Sequence, residues 1–357
     1  MGVLSRLAWL ALLLTSTPAL AQDGAVLEFH GACDASAAIA LDENRIIVGD
    51  DENPWLSIYR LDDRRLEDRI VLPFGLAAPV APGREAAAVE LDIEAATILN
   101  GRILWATSHA RNKSGKARPD RAQLFASHRL APDGTWAGPM ISVPFRGLLA
   151  AIGQTADPAY APLKRAIGDA TKTTVELAPK KKGLNIEGMA AARDGRGLLI
   201  GLRNPLLDGR AIVFRVEHVD EVLDGVLPTV TLGPLVTLDL GGRGIRDMAW
   251  SAALDTYLIV GGQPNDEGPG PGFAIFSWPG AGPATVVDAF GDLNRNPAHF
   301  HPEAIVPLPE RQAGRLVPSA NVLLISDDGT RPVAGGVPCK LAPPGDRSFR
   351  GIVRSLK

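Results

Sequence analysis

The chain lacks most of the features that identify common enzyme classes. It has two cysteines in 357 residues and therefore no cysteine zinc cluster. Its 37 basic and 40 acidic residues nearly cancel, which argues against nucleic acid or an anionic membrane as a partner. Beyond the N-terminus, no segment approaches the ~20 apolar residues of a transmembrane helix. A nucleophile elbow, a Walker loop and a dinucleotide fingerprint are also missing, which disfavours serine hydrolases, kinases and dehydrogenases.

Residues 1–21 have the pattern of a secretory signal peptide. Arg6 precedes a short apolar run, and Ala19-Leu-Ala21 forms a small-residue cleavage site. The apolar run is too short for an uncleaved membrane anchor, which is the competing interpretation. We therefore expect cleavage after Ala21 and a mature chain, residues 22–357, that is periplasmic or secreted.

The two cysteines lie near opposite ends of the mature chain. Cys33 is close to its N-terminus and Cys339 is close to its C-terminus. In an oxidising compartment such a pair is more often bridged than free, so we expect a disulfide that closes most of the chain into one loop. The alternative is a pair of buried thiols.

A short phrase recurs five times along the chain, with a small or polar start followed by an apolar strand. Its copies are Asp34-Ala-Ser36-Ala, Asp92-Ile-Glu94-Ala, Asn185-Ile-Glu187-Gly, Gly244-Ile-Arg246-Asp and His301-Pro-Glu303-Ala. Their third positions are separated by 58, 93, 59 and 57 residues. A period of this size is typical of stacked supersecondary units, and one interval contains an extra segment.

Each phrase is followed by a second, continuously apolar strand. These strands are RIIVGD (45–50), RILWATS (102–108), GLLIGLR (197–203), YLIVGG (257–262) and VLLISDD (322–328). Continuous apolar strands are covered on both faces, and further strands bring most units to four. Four strands per unit predict a propeller blade. The sequence therefore predicts an all-β fold, a single β-propeller domain over residues 22–357 with five blades; a sixth blade built from residues 145–180 is the alternative count.

Two segments lie outside the regular repeat. The strand VLEFHG (26–31) precedes the first phrase and is expected to close the ring as the outer strand of the fifth blade. Residues 145–180 account for the long interval, and within them Leu163, Ala166, Ile167 and Ala170 have helical spacing. We predict a short helical insertion between the second and third blades, which either pads the blade junction or covers one mouth of the channel.

In a propeller, the first strand of each blade lines the central channel, so equivalent positions form a ring. The third positions of the phrase are Ser36, Glu94, Glu187, Arg246 and Glu303. Carboxylates placed together repel one another unless a positive charge lies between them. We therefore predict that Glu94, Glu187 and Glu303 bind a divalent cation, calcium or magnesium. The alternative is that these residues pair with one another and only support the inner strands.

Polar residues at the ends of the second strands form a second candidate layer. They are Asp50, Asp51, Ser108, His109, Arg203, Asn204, Gln263, Asp327 and Asp328. If they meet at one mouth of the channel, they would form a pocket for a substrate or a metal, although several belong to common turn sequences. We predict catalytic roles for Glu187, Arg246, Arg203 and His109, with the arginines balancing oxyanion charge and the histidine acting as acid or base.

The sequence His299-Phe-His301-Pro-Glu303 suggests a less favoured zinc site. Alternate residues of an extended strand share one face, so both imidazoles and the carboxylate would reach one ion. Pro302 interrupts regular strand geometry, which weakens this interpretation.

The order of several motifs resembles a bacterial family of unknown function whose members are usually exported. The motifs are NIEGMAA (185–191), LLIGLRNPLLDGRAIVF (198–214), GRGIRDMAW (242–250), HPEAIV (301–306) and LLISDDG (323–329). The resemblance implies a β-propeller and no particular activity. The phrase at Asn185–Gly188 is also similar to one in the esterase-like domain associated with phytase activity, which would imply a hydrolase.

The sequence thus favours an exported propeller that acts as a metal-assisted hydrolase of phosphate or carboxylate esters. We expect a monomer with a small-molecule substrate or ligand. The alternative is a propeller without enzymatic activity that binds a ligand or a protein.

Overall fold

A computed structural model describes residues 23–76, 89–130, 136–265, 270–295 and 297–356. The predicted signal peptide lies outside these residues. The described residues contain twenty strands in five four-stranded antiparallel sheets, so the predicted five-bladed, all-β propeller is confirmed. The strands are β1 Val26–His30, β2 Ala35–Ala40, β3 Arg45–Asp50, β4 Trp55–Arg60, β5 Leu66–Val71, β6 Ile93–Leu99, β7 Arg102–Thr107, β8 Leu124–Leu130, β9 Trp136–Pro139, β10 Asn185–Ala191, β11 Gly197–Asn204, β12 Ala211–Glu217, β13 Thr231–Leu238, β14 Gly244–Ser251, β15 Thr256–Gly262, β16 Ala274–Trp278, β17 Thr285–Val286, β18 Pro302–Gln312, β19 Arg315–Ser326 and β20 Ser348–Ser355.

The five sheets form a closed ring around the inner strands. Blades 1 to 4 run outward in chain order as β2 to β5, β6 to β9, β10 to β13 and β14 to β17. The innermost strands are β2, β6, β10, β14 and β18, and each contacts the innermost strand of the next blade, with β18 returning to β2. All five begin at or next to the repeated phrase, which therefore positions one residue set around the channel.

Blade 5 contains both ends of the chain. Its strand order is β18, β19, β20 and β1, with Val26 opposite Ile352 and His30 opposite Ser348. The N-terminal strand is thus the outer strand of the last blade, as predicted. Cys33, three residues after β1, forms the expected disulfide with Cys339, nine residues before β20, and the bridge spans 306 residues.

The hydrophobic core lies between the blades. Five clusters of buried side chains each join two neighbouring sheets, so every blade interface is filled. Trp105 is completely buried at the interface of blades 1 and 2, where it packs with Ile47 and Ile93. The apolar second strands need cover on both faces, and the ring supplies it.

Residues 145–180 form the predicted helical insertion, so the alternative of a sixth blade is wrong. The insertion contains helices α1 (Leu148–Gln154) and α2 (Ala161–Ile167); a third short helix, α3 (Val219–Leu223), follows β12. The insertion buries Leu148, Tyr160 and Leu163 against blades 2 and 3, because these side chains belong to the same core cluster as the strands. No helix in the described parts of the chain is long and apolar enough to cross a membrane.

Arg111 fastens the insertion to blade 2. Its buried guanidinium donates five hydrogen bonds of 2.7–3.2 Å to backbone carbonyls of Gly115, Ile167, Asp169 and Lys172. One side chain therefore satisfies the carbonyls of a segment that has little regular structure of its own.

We expect Arg111→Met to loosen this segment without unfolding the ring. The unpaired carbonyls should lower the free energy of unfolding by about 2 kcal/mol. Hydrogen exchange followed by mass spectrometry should show faster exchange in residues 161–172, while Arg165→Met, at an exposed position of α2, should leave it unchanged. Equal exchange in the two variants would contradict this role of Arg111.

Candidate functional site

The third residue of every phrase is the extra residue of a β-bulge. In every blade the pairing between first and second strands skips the third position of the phrase, and these skipped residues are Ser36, Glu94, Glu187, Arg246 and Glu303. A bulge leaves its extra residue outside the ladder and redirects its side chain. The repeat in the sequence is therefore a repeat of bulges, placed at the same end of every inner strand.

Backbone hydrogen bonds at the start of the phrase connect blades 1, 2 and 3. The Asp51 amide donates to the Asp34 carbonyl at 3.4 Å within blade 1, and the Asp92 amide of blade 2 donates to the Asp51 carbonyl at 3.0 Å. In the same way, Ser108 N–H donates to Asp92 and Ile186 N–H donates to Ser108, each at 2.8 Å. The ends of the second strands and the starts of the first strands therefore meet at one mouth of the channel, which we call the acidic mouth.

Arg246 lies between two of the three ring glutamates. Its Nε is 2.7 Å from Glu187 Oε2, and its Nη2 contacts Glu303 Oε1. All three side chains are at least nine-tenths buried. Burial and the neighbouring Arg203 lower the pKa of Arg246, but a guanidinium remains charged at neutral pH.

Glu187 is held from two further directions. Arg203 Nη1 lies 3.1 Å from Glu187 Oε1, and Asn185 Nδ2 donates to the same oxygen at 2.7 Å. Arg203 Nε also donates to the carbonyl of Gln263, at 3.2 Å. Three of the four predicted catalytic residues, Glu187, Arg246 and Arg203, thus form one buried ion-pair network.

The third ring glutamate, Glu94, belongs to a different group. Ligand oxygens of Asp51, Asp92 and Glu94 all lie within 4.8 Å of one another, and we call these residues the carboxylate triad. They form the one set of three or more potential metal ligands found in the described residues. The structure therefore places Glu94 with two aspartates, whereas Arg246 bridges Glu187 and Glu303.

Asp92 is fixed within the triad by neutral and positive partners. Its Oδ2 accepts a short hydrogen bond from Ser108 Oγ and lies 3.0 Å from Arg121 Nη1. Arg121 also pairs with Glu90 at 2.6 Å, so it is shared between two carboxylates. Arg121 was not predicted from the sequence, because it lies in the segment between β7 and β8, outside the repeated phrase.

The electrostatics of the acidic mouth favour protonation or a bound cation. Burial, together with neighbouring carboxylates, raises the pKa of Asp51 and of Glu94 well above their ordinary values. Burial and the charge of Asp327 raise the pKa of Asp34 to about 8. Close carboxylates in a desolvated site cannot all ionise without a compensating charge.

This crowding has a consequence for stability that can be measured. Asp34 keeps its proton in the folded state up to about pH 8, whereas the unfolded chain loses it near pH 4, so ionisation destabilises the fold as the pH rises between these values. The free energy of unfolding of Asp34→Asn is compared with that of the wild type, both in EDTA. The value for the variant minus the value for the wild type should increase from about pH 4 to about pH 8, by at most about 1.4 kcal/mol per pH unit. Urea titrations at several pH values measure it, and a difference independent of pH would contradict the raised pKa.

His109, the fourth predicted catalytic residue, lies apart from the ion-pair network. Its ring Nδ1 is 2.7 Å from the Thr107 carbonyl, and its buried Nε2 has no hydrogen-bond partner among the described residues. Burial lowers the pKa of His109 to about 4, so the ring is neutral at neutral pH. It borders a cavity of about 290 Å³ beneath the helical insertion, together with Arg118 and Arg146.

Other polar residues at the strand ends support the backbone. Asp50 Oδ1 accepts from the amides of Glu52 and Asn53, both at 2.9 Å, which is the turn role considered for this sequence. Asp328 accepts two hydrogen bonds from Arg350, at 2.6 and 2.8 Å, within blade 5. These two carboxylates are therefore committed to local structure.

The histidines of the alternative zinc site do not share a strand face with Glu303. Strand β18 begins at Pro302, after both histidines, so strand alternation does not apply to them. His299 is exposed with a positive φ of 55°, and Glu303 is engaged by Arg246. Within the described residues, these three side chains do not form a metal-ligand cluster.

The sequence comparison finds a match to one family over part of the chain and no activity. Residues 165–296 match the model of a family described as "Protein of unknown function (DUF3616)". The predicted resemblance to a family of unknown function is thereby confirmed. No curated protein matches the chain.

Several solved structures are similar over most of their length. Glutaminyl cyclase from Myxococcus xanthus has 12% identity and a TM-score of 0.43, with 92% of this chain and 94% of that chain covered. The PQQ-bound aldose sugar dehydrogenase from Streptomyces coelicolor has 11% identity and a TM-score of 0.41, with 94% and 100% covered. Virginiamycin B lyase from Staphylococcus aureus has 10% identity and a TM-score of 0.37, with 93% and 99% covered. At these values, no residue role is carried over to this chain.

Proposed function

We propose that this chain is a hydrolase that uses a divalent cation to cleave small phosphate or carboxylate esters at the acidic mouth. The observation that carries the proposal is the carboxylate triad, whose oxygens from Asp51, Asp92 and Glu94 lie within 4.8 Å. Three carboxylates suit hard cations such as Ca²⁺ or Mg²⁺ and lack the nitrogen and sulfur ligands that favour zinc. The triad replaces the sequence-based set, because Glu187 and Glu303 are already paired with Arg246.

An unpaired carboxylate oxygen of the triad supports a bound cation at this place. Asp51 Oδ1 is buried and has no hydrogen-bond partner among the described residues. Ser36, the ring residue of the blade next to Glu94, is 1% exposed, and its Oγ also has no partner. A buried polar atom without a partner is costly, and a cation held by the triad would supply a partner for the Asp51 oxygen.

Neighbouring residues would keep one ligand of the cation in a fixed orientation. A bound divalent cation lowers the pKa of a water molecule and polarises an ester oxygen. Ser108 and Arg121 hold Asp92 in place, so one carboxylate of the triad has a fixed orientation. In the hydrolysis, the water oxygen bonds to phosphorus or to the carbonyl carbon, the bond to the alcohol oxygen breaks, and the departing alcohol takes up a proton.

The predicted catalytic residues divide between two roles in this proposal. Arg246 and Arg203 compensate the charge of Glu187 and keep the mouth from becoming still more negative, which favours anionic substrates. We assign His109, whose neutral ring borders the cavity beneath the helical insertion and whose Nε2 has no partner among the described residues, the role of a hydrogen-bond acceptor for a substrate that reaches this cavity. The short likeness of residues 185–188 to the esterase-like domain favours the same reaction class.

A specific observation favours a second candidate, a propeller that binds a cation without catalysing a reaction. Glu187 is 2% exposed and Arg246 is 6% exposed, so both are enclosed by protein. In this alternative the cation completes the charge balance of the ring and stabilises the fold. The two candidates share the metal site and differ only in turnover.

Export is part of the proposal. Residues 1–21 would direct secretion and be removed, and the disulfide between Cys33 and Cys339 suits an oxidising compartment such as the periplasm or the cell exterior. Mass spectrometry of the protein purified from its native host tests this; a mature N-terminus at Gln22 supports it, and an intact Met1 contradicts it.

Turnover is tested with p-nitrophenyl phosphate and p-nitrophenyl acetate, in Ca²⁺, in Mg²⁺ and in EDTA. We expect hydrolysis that depends on the cation. Glu94→Gln should reduce its rate by at least about tenfold, because the variant has lost one anionic ligand. Glu67→Gln makes the same exchange on the exposed outer strand of blade 1 and serves as control. Activity that is equal in EDTA, or equal in the Glu94 variant, would contradict the hydrolase. Cation binding without turnover would leave only the second candidate.

A further inference from the structure

The channel has a second cavity at the end opposite to the acidic mouth. Its volume is about 370 Å³, and residues from all five blades line it, among them Ala38, Ile98, Ala191, Trp250 and Leu308. These residues lie near the ends of the inner strands, whereas the bulged residues lie near the starts. In strand β6, for example, Ile98 follows Glu94 by four residues, roughly 13 Å along the strand.

The chemical character of this cavity differs completely from that of the acidic mouth. Its lining consists of alanine, isoleucine, leucine, valine, proline and tryptophan with one threonine and two serines, all of them described residues, and none carries a charge. Thr97 Oγ1 accepts from the Ala191 amide at 3.0 Å, and Ser319 Oγ donates to the Leu308 carbonyl at 2.7 Å. Two of the three hydroxyl groups are therefore already paired.

The third hydroxyl, of Ser251, has no partner. Ser251 is completely buried at the end of β14, it borders the cavity, and no described residue hydrogen-bonds to its Oγ. A buried hydroxyl is normally paired, and leaving one unpaired is costly. This observation points to a bound group that completes the pairing.

One blade is built differently at this end of the channel. Strands β18 and β19 have 11 and 12 residues, whereas the first and second strands of the other blades have six to eight. Strand β20 pairs with β19 only over Asn321–Ile325, so the rest of the hairpin extends past the sheet. Its residues Leu316, Val317 and Pro318 line the cavity and give it an apolar wall on one side.

We propose that this cavity binds a small, uncharged, largely apolar molecule that carries one hydroxyl or carbonyl oxygen. The volume lies at the lower end of the range for small-molecule pockets. The lining offers contact area to an apolar ring or chain, and Ser251 offers one hydrogen bond. A charged ligand is excluded, because no lining residue would compensate its desolvation. The site is independent of the proposed hydrolase, since it shares no residue with the carboxylate triad.

The test uses 1-naphthol, naphthalene and 1-naphthoate as probes in isothermal titration calorimetry of the disulfide-bonded protein. We expect saturable binding of one 1-naphthol molecule per chain, weaker binding of naphthalene and none of 1-naphthoate. Ser251→Ala should weaken the binding of 1-naphthol by about three- to tenfold, while leaving that of naphthalene unchanged. Ala249→Phe places a ring in the cavity and should abolish binding of both; Ala281→Phe makes the same exchange on an exposed loop and should not.

The outcomes that overturn the proposal are equally specific. Failure of the wild-type protein to bind 1-naphthol excludes the cavity as a site for this class of molecule. Equal affinity of wild type and Ser251→Ala for 1-naphthol removes the role of the hydroxyl. Should Ala249→Phe fail to fold by circular dichroism, the comparison of the two probes in Ser251→Ala decides, because that exchange removes a single oxygen atom.

Discussion

Replacing Arg246 with methionine is expected to lower the free energy of unfolding by about 3–5 kcal/mol at neutral pH. The guanidinium is the shared partner of Glu187 and Glu303, and all three groups are buried. Methionine fills a similar volume but carries no charge. The buried carboxylates of Glu187 and Glu303 therefore lose the positive charge that they share. Removing one member of a buried ion-pair network is much more costly than removing the network as a whole.

Two comparisons separate this electrostatic effect from a packing defect. The double variant Arg246→Met with Glu187→Gln should be more stable than Arg246→Met alone, because it removes the charge that was left uncompensated. Arg65→Met, which removes an exposed partner of Asp63, should change stability little. Urea unfolding measures all three variants, and a double variant less stable than the single one would show that Arg246 acts mainly through packing.

Removing the disulfide is expected to have an effect of comparable size. The bridge closes a loop of 306 residues, for which the loop-entropy model gives roughly 5–6 kcal/mol of stabilisation as an upper value. The structure adds a local reason, because β1 completes its blade only through its pairing with β20. Without Cys33–Cys339, closure of the ring depends on that one pair of strands and its side-chain contacts.

The variant Cys33→Ala with Cys339→Ala should therefore unfold at clearly lower urea concentration than the oxidised wild type. Wild-type protein kept reduced by dithiothreitol is the matched control and should unfold with the variant, since both lack the cross-link. Unfolding of the variant at the same urea concentration as the oxidised protein would mean that strand pairing alone closes the ring.

The architecture was predictable from the sequence because it is periodic. A phrase that recurs at nearly constant spacing determines the number of blades, and the surplus of one interval locates the helical insertion. Ring closure was predicted from two features: the apolar strand at residues 26–31 precedes the first repeat unit, and the two cysteines lie near opposite ends of the chain. Each of these signals depends on local residue type and spacing, which a sequence displays directly.

The grouping of charges in the channel was not predictable in the same way. The phrase assigns Glu94, Glu187 and Glu303 to equivalent positions, and equivalence suggested that they act together. Their actual partners depend on neighbours that the repeat does not encode. The long side chain of Arg246 contacts Glu187 and Glu303 in the two adjacent blades. The carbonyl of Asp51 accepts a hydrogen bond from the amide of Asp92 in the next blade. The repeat also gave no sign that its third residue is a bulge, since a bulge is a property of paired strands.

The cation site at the acidic mouth is tested most directly by calorimetric titration of the EDTA-treated, dialysed protein with Ca²⁺ and with Mg²⁺. Saturable binding of one cation is expected, with a dissociation constant of about 1 mM or lower. Asp51→Asn and Glu94→Gln should each weaken it by at least about tenfold, because each removes one anionic ligand. Glu67→Gln should bind as wild type does. Absence of binding by the wild-type protein, or equal binding by the triad variants, would contradict the assignment of a metal site to Asp51, Asp92 and Glu94.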